Sequence, residues 1–216
     1  MPIRIITVER EYGSGGAMIA RRLAARLGWK IWDEELTAEI ARVAHVDPGA
    51  AARCDERRDP FLYRLFRVYA RGSYERSLPI GESSRAFDTD CMVEVLHEVI
   101  KDVASRGNSV IVGRGSAYIL RDRPDAFHVF VYAPVEEKIR RVMSLGKTEK
   151  EARELVEEID AERAEFIHHY FGAQWPARWL YNVMINSKFG DEFAADMILH
   201  QVAALEKRPA PQSLTA

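Results

Sequence analysis

The sequence predicts an α/β fold: a five-stranded parallel sheet with helices on both faces. Three observations predict it. Short apolar runs alternate with helical patterns along the chain, the order that builds a parallel sheet. A strand, a glycine-rich turn and a helix open the chain over residues 5–27. The first strand–helix–strand unit takes about 30 residues, the length of a right-handed crossover.

The elements follow in order. Residues 3–8 form a mostly apolar run, as in a buried parallel strand. Residues 17–27 are helical, with Ile19, Ala20, Leu23, Ala24 and Leu27 on one face and Arg21, Arg22 and Arg26 elsewhere on the surface. Gly28 suits the position just past that helix. A second strand is expected at 29–32, closed by Asp33, and a helix at 36–46. Residues 47–86 contain Pro48, Gly49, Pro60 and an aromatic, basic stretch at 61–71, and read as a helical insert or flap. A helix follows at 88–105, then strands at 108–113 and 127–132. Helices are expected at 135–145 and 147–171, a fifth strand at 183–186, and a closing helix at 191–205. Residues 207–216, with two prolines and small polar side chains, read as a flexible tail. The expected organisation is one domain over 1–206, with a lid region at 138–180.

Composition narrows the function classes. A 216-residue chain that is 47% hydrophobic suits one globular domain with a sizeable core. The net charge of -2 carries no basic excess, so no nucleic-acid partner is expected. A small polyanion held by a few arginines fits better. Cys54 and Cys91 have no C-x-x-C spacing, which points to a reducing compartment and no structural metal. No signal peptide and no apolar run of membrane-spanning length is expected, so the reading is cytoplasmic.

The chemistry centres on Glu9-Arg10-Glu11-Tyr12-Gly13-Ser14-Gly15-Gly16. A glycine-rich turn between strand and helix lets backbone N–H groups approach a phosphate. The consensus for such a loop is G-x-x-x-x-G-K-[ST]. Here Arg10 stands at the first glycine, Gly16 at the lysine and Ala17 at the hydroxyl residue. Taken alone, the turn reads better as a plain strand–helix connection.

The stretch Ile6-Thr7-Val8-Glu9-Arg10-Glu11-Tyr12-Gly13-Ser14-Gly15-Gly16 resembles the N-terminal signature of the cytidylate kinase-like family, within the P-loop nucleoside monophosphate kinases. Three further segments match in order. They are Val110-Ile111-Val112-Gly113-Arg114-Gly115, then Val129-Phe130-Val131-Tyr132-Ala133-Pro134 with Arg140-Arg141. The last is Asp160-Ala161-Glu162-Arg163-Ala164 with Tyr170-Phe171, Trp175, Tyr181-Asn182 and Ile185-Asn186-Ser187. The likeness runs from Ile5 to about residue 205 and is weakest at 47–86. The family commonly carries glycine at the lysine position, but the next two positions are commonly polar or charged. Ala17 and Met18 depart from that pattern, and neither side chain can ligate Mg²⁺ or donate to a phosphate.

The resemblance implies a P-loop kinase-like fold and roles for named residues. Arg10, Tyr12, Gly13, Ser14, Gly15, Gly16, Ala17 and Arg140 would bind the donor nucleotide, ATP with Mg²⁺. Arg141, Asp160 and Arg163 would act in catalysis from a closing lid, where arginines meet charge that grows during phosphoryl transfer. The same lid stretch, rich in Glu157, Glu158 and Glu162, also reads as a solvated, salt-bridged helix. Arg114, in a Gly-Arg-Gly turn, is expected to be exposed and to hold the acceptor's phosphate, or else to cap a helix or pair with Asp122. Asp33 would serve the acceptor, hold Mg²⁺ through water, or cap the next helix.

His168 and His169 are neighbours that point apart on a helix and do not chelate as a pair. Trp175, Trp179 and Tyr181 read as core or lid packing, although an aromatic there could stack on a base. The implied activity is ATP-dependent phosphoryl transfer to a nucleoside monophosphate, CMP or dCMP, so the expected partner is a small nucleotide. The alternatives are a nucleotide- or phosphate-binding regulatory module without transfer, and a kinase for another small acceptor.

Overall fold

A computed structural model describes residues 2–33, 35–36, 39 and 89–207. The expected flap at 47–86, most of the helix at 36–46 and the tail beyond Lys207 lie outside the described residues.

Five parallel strands form one sheet in the order β2-β3-β1-β4-β5. They are β1 (Ile5–Arg10), β2 (Lys30–Trp32), β3 (Ser109–Val112), β4 (Ala126–Tyr132) and β5 (Val183–Asn186). β1 lies two residues later than the apolar run suggests. The reason is its ladder with β4, which continues through Glu9 opposite Phe130 and Arg10 opposite Val131. Backbone pairing carries the strand past its apolar residues, so two charged residues belong to it.

The helices are α1 (Gly16–Leu27), α2 (Thr89–Arg106), α3 (Ser116–Ile119), α4 (Val135–Met143), α5 (Glu149–Phe171) and α6 (Asp191–Glu206). α3 and the 3₁₀ turns at Arg178–Leu180 and Ser187–Phe189 carry no readable sequence period because each is at most one turn long. α1 stops at Gly28, whose left-handed backbone lets its N–H reach back to the helix carbonyls. α5 starts at a reciprocal cap. The Thr148 Oγ1 accepts from the Glu151 N–H at 3.3 Å, and the Glu151 carboxylate accepts from the Thr148 N–H at 2.8 Å.

The strand pleat divides the core between the two sheet faces. Ile5, Ile111 and Phe130 pack on one side against α2 and α5 through Leu96, Ile100 and Phe166. Ile6, Val8, Val110 and Val129 pack on the other against α1 and α6 through Ile19, Leu23 and Ile198. A smaller cluster of Ile139, Val142, Ala152 and Val156 joins α4 to α5, with Tyr12 against it. This third cluster ties the helices after β4 to the loop after β1.

Candidate active site

β1 is the middle strand, so its C-terminal end carries the glycine-rich loop to the centre of the sheet edge, where open α/β sheets bind ligands. Gly13 and Gly15 adopt left-handed φ values of 73° and 79° there. Gly15 precedes α1 and no side chain caps that helix. Gly15, Gly16, Ala17 and Met18 border a cavity of about 380 Å³, so the uncapped first turn of α1 meets open space suited to an anion.

Four arginines line the same cavity: Arg10 from β1, Arg21 from α1, Arg141 from α4 and Arg163 from α5. Tyr12 and Gly13 complete the side formed by the loop. Arg141 Nη1 donates to Asp191 Oδ1 at 2.7 Å, and its Nη2 to the Ser187 carbonyl at 3.3 Å. A Cβ on Gly15 would stand 1.8 Å from Arg141 Nη1, so the guanidinium rests on the loop backbone. Arg163 is buried. Its Nη1 reaches the Arg10 carbonyl at 2.9 Å and Asp160 Oδ1 at 3.2 Å.

Asp160 does not line the cavity; it stands behind the loop. Its Oδ1 accepts the Tyr12 N–H at 2.7 Å and its Oδ2 accepts from Lys138 Nζ at 3.1 Å. The Ser14 side chain also turns away from the cavity, donating to the Glu11 carbonyl at 2.8 Å. The Ser14 carbonyl accepts from Ser187 Oγ at 2.6 Å, which fastens the turn to the end of β5. Arg140 points to solvent with its side chain 70% exposed, paired with Glu137 at 2.8 Å, and is absent from the cavity wall.

Arg114 overturns the expectation of an exposed guanidinium, being only 1% accessible. Three successive left-handed residues, Gly113, Arg114 and Gly115, fold the chain back from β3 into α3. That turn draws Arg114 inward. Burial pushes its guanidinium down to about 10, while the charges of Asp33 and Glu9 support its protonated form. Asp122, the alternative partner, is instead exposed and meets Arg121 at 3.3 Å. Asp33 is 2% accessible and does not line the loop cavity. Of the three aromatic residues expected to pack, Trp175 and Tyr181 meet Phe130, but Trp179 is 72% exposed. The 3₁₀ turn at Arg178–Leu180 buries Leu180 and leaves the Trp179 ring outside the core. His168 and His169 are both exposed on α5.

Several residues of this region escaped the sequence reading, Arg21 and Asp191 of the cavity wall among them. Glu9, at the end of β1, is 1% accessible, and its Oε1 has no hydrogen-bond partner among the described residues. Burial pushes its carboxyl above the ordinary value, against the pull of Arg10, Arg163, the Gly115 N–H and Arg114. The signal was a carboxylate at the mouth end of a buried strand. Lys138 is buried on α4 and bridges Glu11 and Asp160, each at 3.1 Å. Its signal was a lysine one turn before Arg141.

Among the described residues no group of three His, Cys, Asp or Glu side chains is arranged to hold a metal ion. The cavity carboxylates Glu11 and Asp191 each face a cation already. No described helix is long and apolar enough to cross a membrane. A second hollow of about 890 Å³, near Tyr118, Trp175 and Trp179, contains none of the expected site residues.

The sheet and its loop define a P-loop kinase-like α/β protein. Comparison with known proteins carries this further: the chain belongs to the cytidylate kinase-like family, whose profile matches residues 5–188. It is 20% identical over 132 residues to a cytidylate kinase of Methanosarcina mazei, covering 58% of this chain and 72% of that one. Among solved structures, an uncharacterized protein from Eubacterium ventriosum superposes with a TM-score of 0.66 at 23% identity, covering 95% of this chain and 99% of that one. A shikimate kinase from Acinetobacter baumannii, in complex with shikimate, superposes with a TM-score of 0.53 at 17% identity, covering 95% and 96% of the two chains. At these identities the structural likeness concerns the fold.

Proposed function

We propose that the protein transfers a phosphoryl group from Mg·ATP to a nucleoside monophosphate, with CMP or dCMP as the acceptor. One observation carries the reading: the uncapped start of α1 and four arginines from separate elements border the same cavity. Uncapped N–H groups and guanidinium forks suit a polyphosphate, whose charge the loop cannot meet with a lysine. Membership of the cytidylate kinase-like family supports the reaction class and the nucleotide acceptor.

In this reading residues 10–17 cradle the donor phosphates. Arg141 and Arg163, on the lid elements of 138–180, stabilise the charge on the transferred group. Arg163 also fixes the loop through the Arg10 carbonyl. Asp33 and Arg114 serve the acceptor side from the ends of β2 and β3. Magnesium would be held mainly by phosphate oxygens and water, since the cavity carboxylates already face Lys138 and Arg141. Bound magnesium would neutralise charge between the donor phosphates.

A second reading rests on Gly16, Ala17 and Met18, which supply neither the lysine nor the hydroxyl of the loop consensus. It is a nucleotide- or phosphate-binding regulatory module without transfer; a kinase for another small acceptor is the third. Incubation with Mg·ATP and a panel of nucleoside monophosphates and small alcohols, followed by ADP release, separates them. Turnover with CMP that is lost in Arg141→Ala supports the first reading. Saturable ATP binding without turnover on any acceptor supports the second, and turnover on a different acceptor the third. No ATP binding overturns both kinase readings and leaves only a non-nucleotide phosphate ligand for the second.

A further inference from the structure

We propose that Lys138 is a positioning residue that holds the phosphate loop in its working shape from outside the loop. This inference deepens the phosphotransfer reading and rests on it for its kinetic consequence. The ammonium group sits 3.1 Å from Glu11 Oε2 and 3.1 Å from Asp160 Oδ2, with its side chain 8% exposed. Glu11 belongs to the loop and Asp160 to α5, so Lys138 on α4 joins three separate segments. Its position matters because Asp160 performs a second task. The other carboxylate oxygen of Asp160 accepts the Tyr12 N–H at 2.7 Å, which sets the direction of the peptide entering the glycine turn.

The backbone of Lys138 makes the next contact. A Cβ on Gly13 would stand 2.9 Å from the Lys138 carbonyl oxygen, so the turn lies directly on α4. Residues 11–13 are thus registered by α4 and α5, the elements read above as the lid. Without the ammonium, Glu11 and Asp160 become two facing carboxylates in a half-buried space and repel. Asp160 then keeps its 3.2 Å bond from Arg163 but loses its second anchor, so the acceptor of the Tyr12 amide shifts and the glycine N–H groups lose their aim. A loop that lacks its lysine depends more heavily on the direction of its backbone donors. The structure supplies that direction through a lysine in a different helix. Lys138 does not line the cavity, so it acts through Asp160 and Glu11 rather than on the ligand.

The test compares the full chain with Lys138→Met and Lys138→Arg, the second keeping a cation for both carboxylates. Amide hydrogen exchange provides a readout that needs no catalysis. In Lys138→Met the amides of Tyr12 and Ser14, which bond to Asp160 and to the Glu11 carbonyl, should lose protection while those of β4 keep theirs, and Lys138→Arg should restore the loop. In the ADP-release assay, kcat of Lys138→Met should fall by about tenfold or more, as expected for misaligned reacting groups. KM for ATP should change less, and Lys138→Arg should recover most of the loss. Unchanged loop exchange in a folded Lys138→Met protein overturns the proposal. So does parallel loss of protection throughout the chain in both variants, which marks a purely structural lysine. Absence of ADP release from the unsubstituted protein with every acceptor defeats the phosphotransfer reading instead, and the exchange result still decides the role of Lys138.

Discussion

Arg10 and Gly16 share one space. A Cβ on Gly16 would stand 2.5 Å from the Arg10 Cβ and 2.8 Å from its Cγ. The two positions are those at which the loop consensus carries glycine and lysine. This chain has the bulk and the cation on the strand side and the glycine on the helix side. The Arg10 side chain then runs to Gly113, where a Cβ would meet its Nη1 at 1.9 Å.

Restoring the consensus lysine alone should therefore fail. Gly16→Lys, and the milder Gly16→Ala, should destabilise the fold by about 1–3 kcal/mol through overpacking against Arg10. Arg10→Gly combined with Gly16→Lys should recover part of that loss. A double-mutant cycle by urea denaturation measures the coupling, expected at about 0.5–3 kcal/mol. Additive effects of the two substitutions would refute the shared-space account.

Gly15 and Arg141 form a similar pair from different elements. Gly15→Ala meets both the left-handed φ of 79° and the guanidinium resting on the loop. The backbone strain alone should cost about 1–2 kcal/mol. ATP affinity, followed by calorimetric titration, should fall further because Arg141 must leave its seat between the loop and Asp191. Arg141→Ala keeps the glycine and should lower kcat/KM by about 100-fold, the scale of losing one transition-state donor. Unaltered kcat/KM in Arg141→Ala would remove that arginine from the chemistry.

Magnesium should bind with the nucleotide rather than before it. Glu11 and Asp191, the carboxylates of the cavity wall, are already engaged by Lys138 and Arg141. Titration of the nucleotide-free protein with MgCl₂ should give no saturable binding below about millimolar concentration, since Mg²⁺ sheds water only for well-formed oxygen sites. Adding ATP should produce tight, Mg²⁺-dependent binding. A micromolar site in the absence of nucleotide would require another set of ligands.

Stability should decline in mild acid because of His128. Burial in β4 lowers its imidazole to about 4 from the ordinary 6.5. The unfolded chain takes up the proton near pH 6.5 and the folded chain only near pH 4. The contribution is complete above pH 6.5, is lost as pH falls toward 4, and is about 3 kcal/mol in size. Glu9 works in the opposite sense. Its raised carboxyl favours the folded state in acid, and that benefit fades as pH rises through its folded-state value. Denaturation of the unsubstituted protein and His128→Gln from pH 4 to 7 isolates the histidine, because Glu9 is common to both. An equal acid sensitivity in the two proteins would contradict this assignment.

Much of the fold was legible in the chain because apolar periodicity reports burial directly. β5 occupies the expected residues 183–186, and α1 ends at Gly28 where the glycine signal lies. β1 shifted because pairing with β4 is a property of two distant segments. The loop, Arg141 and Arg163 were readable from local motifs, and the structure brings them to one cavity. Arg140 was equally visible but lies on the solvent side of α4, a difference that helix phase against its neighbours decides.

The sequence by itself determined which segments become strands and helices, and which turn is free enough to approach a phosphate. Those properties depend on side-chain pattern and on glycine's lack of a Cβ, both local. Only the tertiary structure decided how charge is shared around the loop. Arg114 went inward, Asp160 went behind the turn, and Lys138 on α4 became the link between the loop and α5. Ion pairs and burial join residues far apart in the chain, so the glycine that replaces the loop lysine acquires its meaning only from the side chains packed around it.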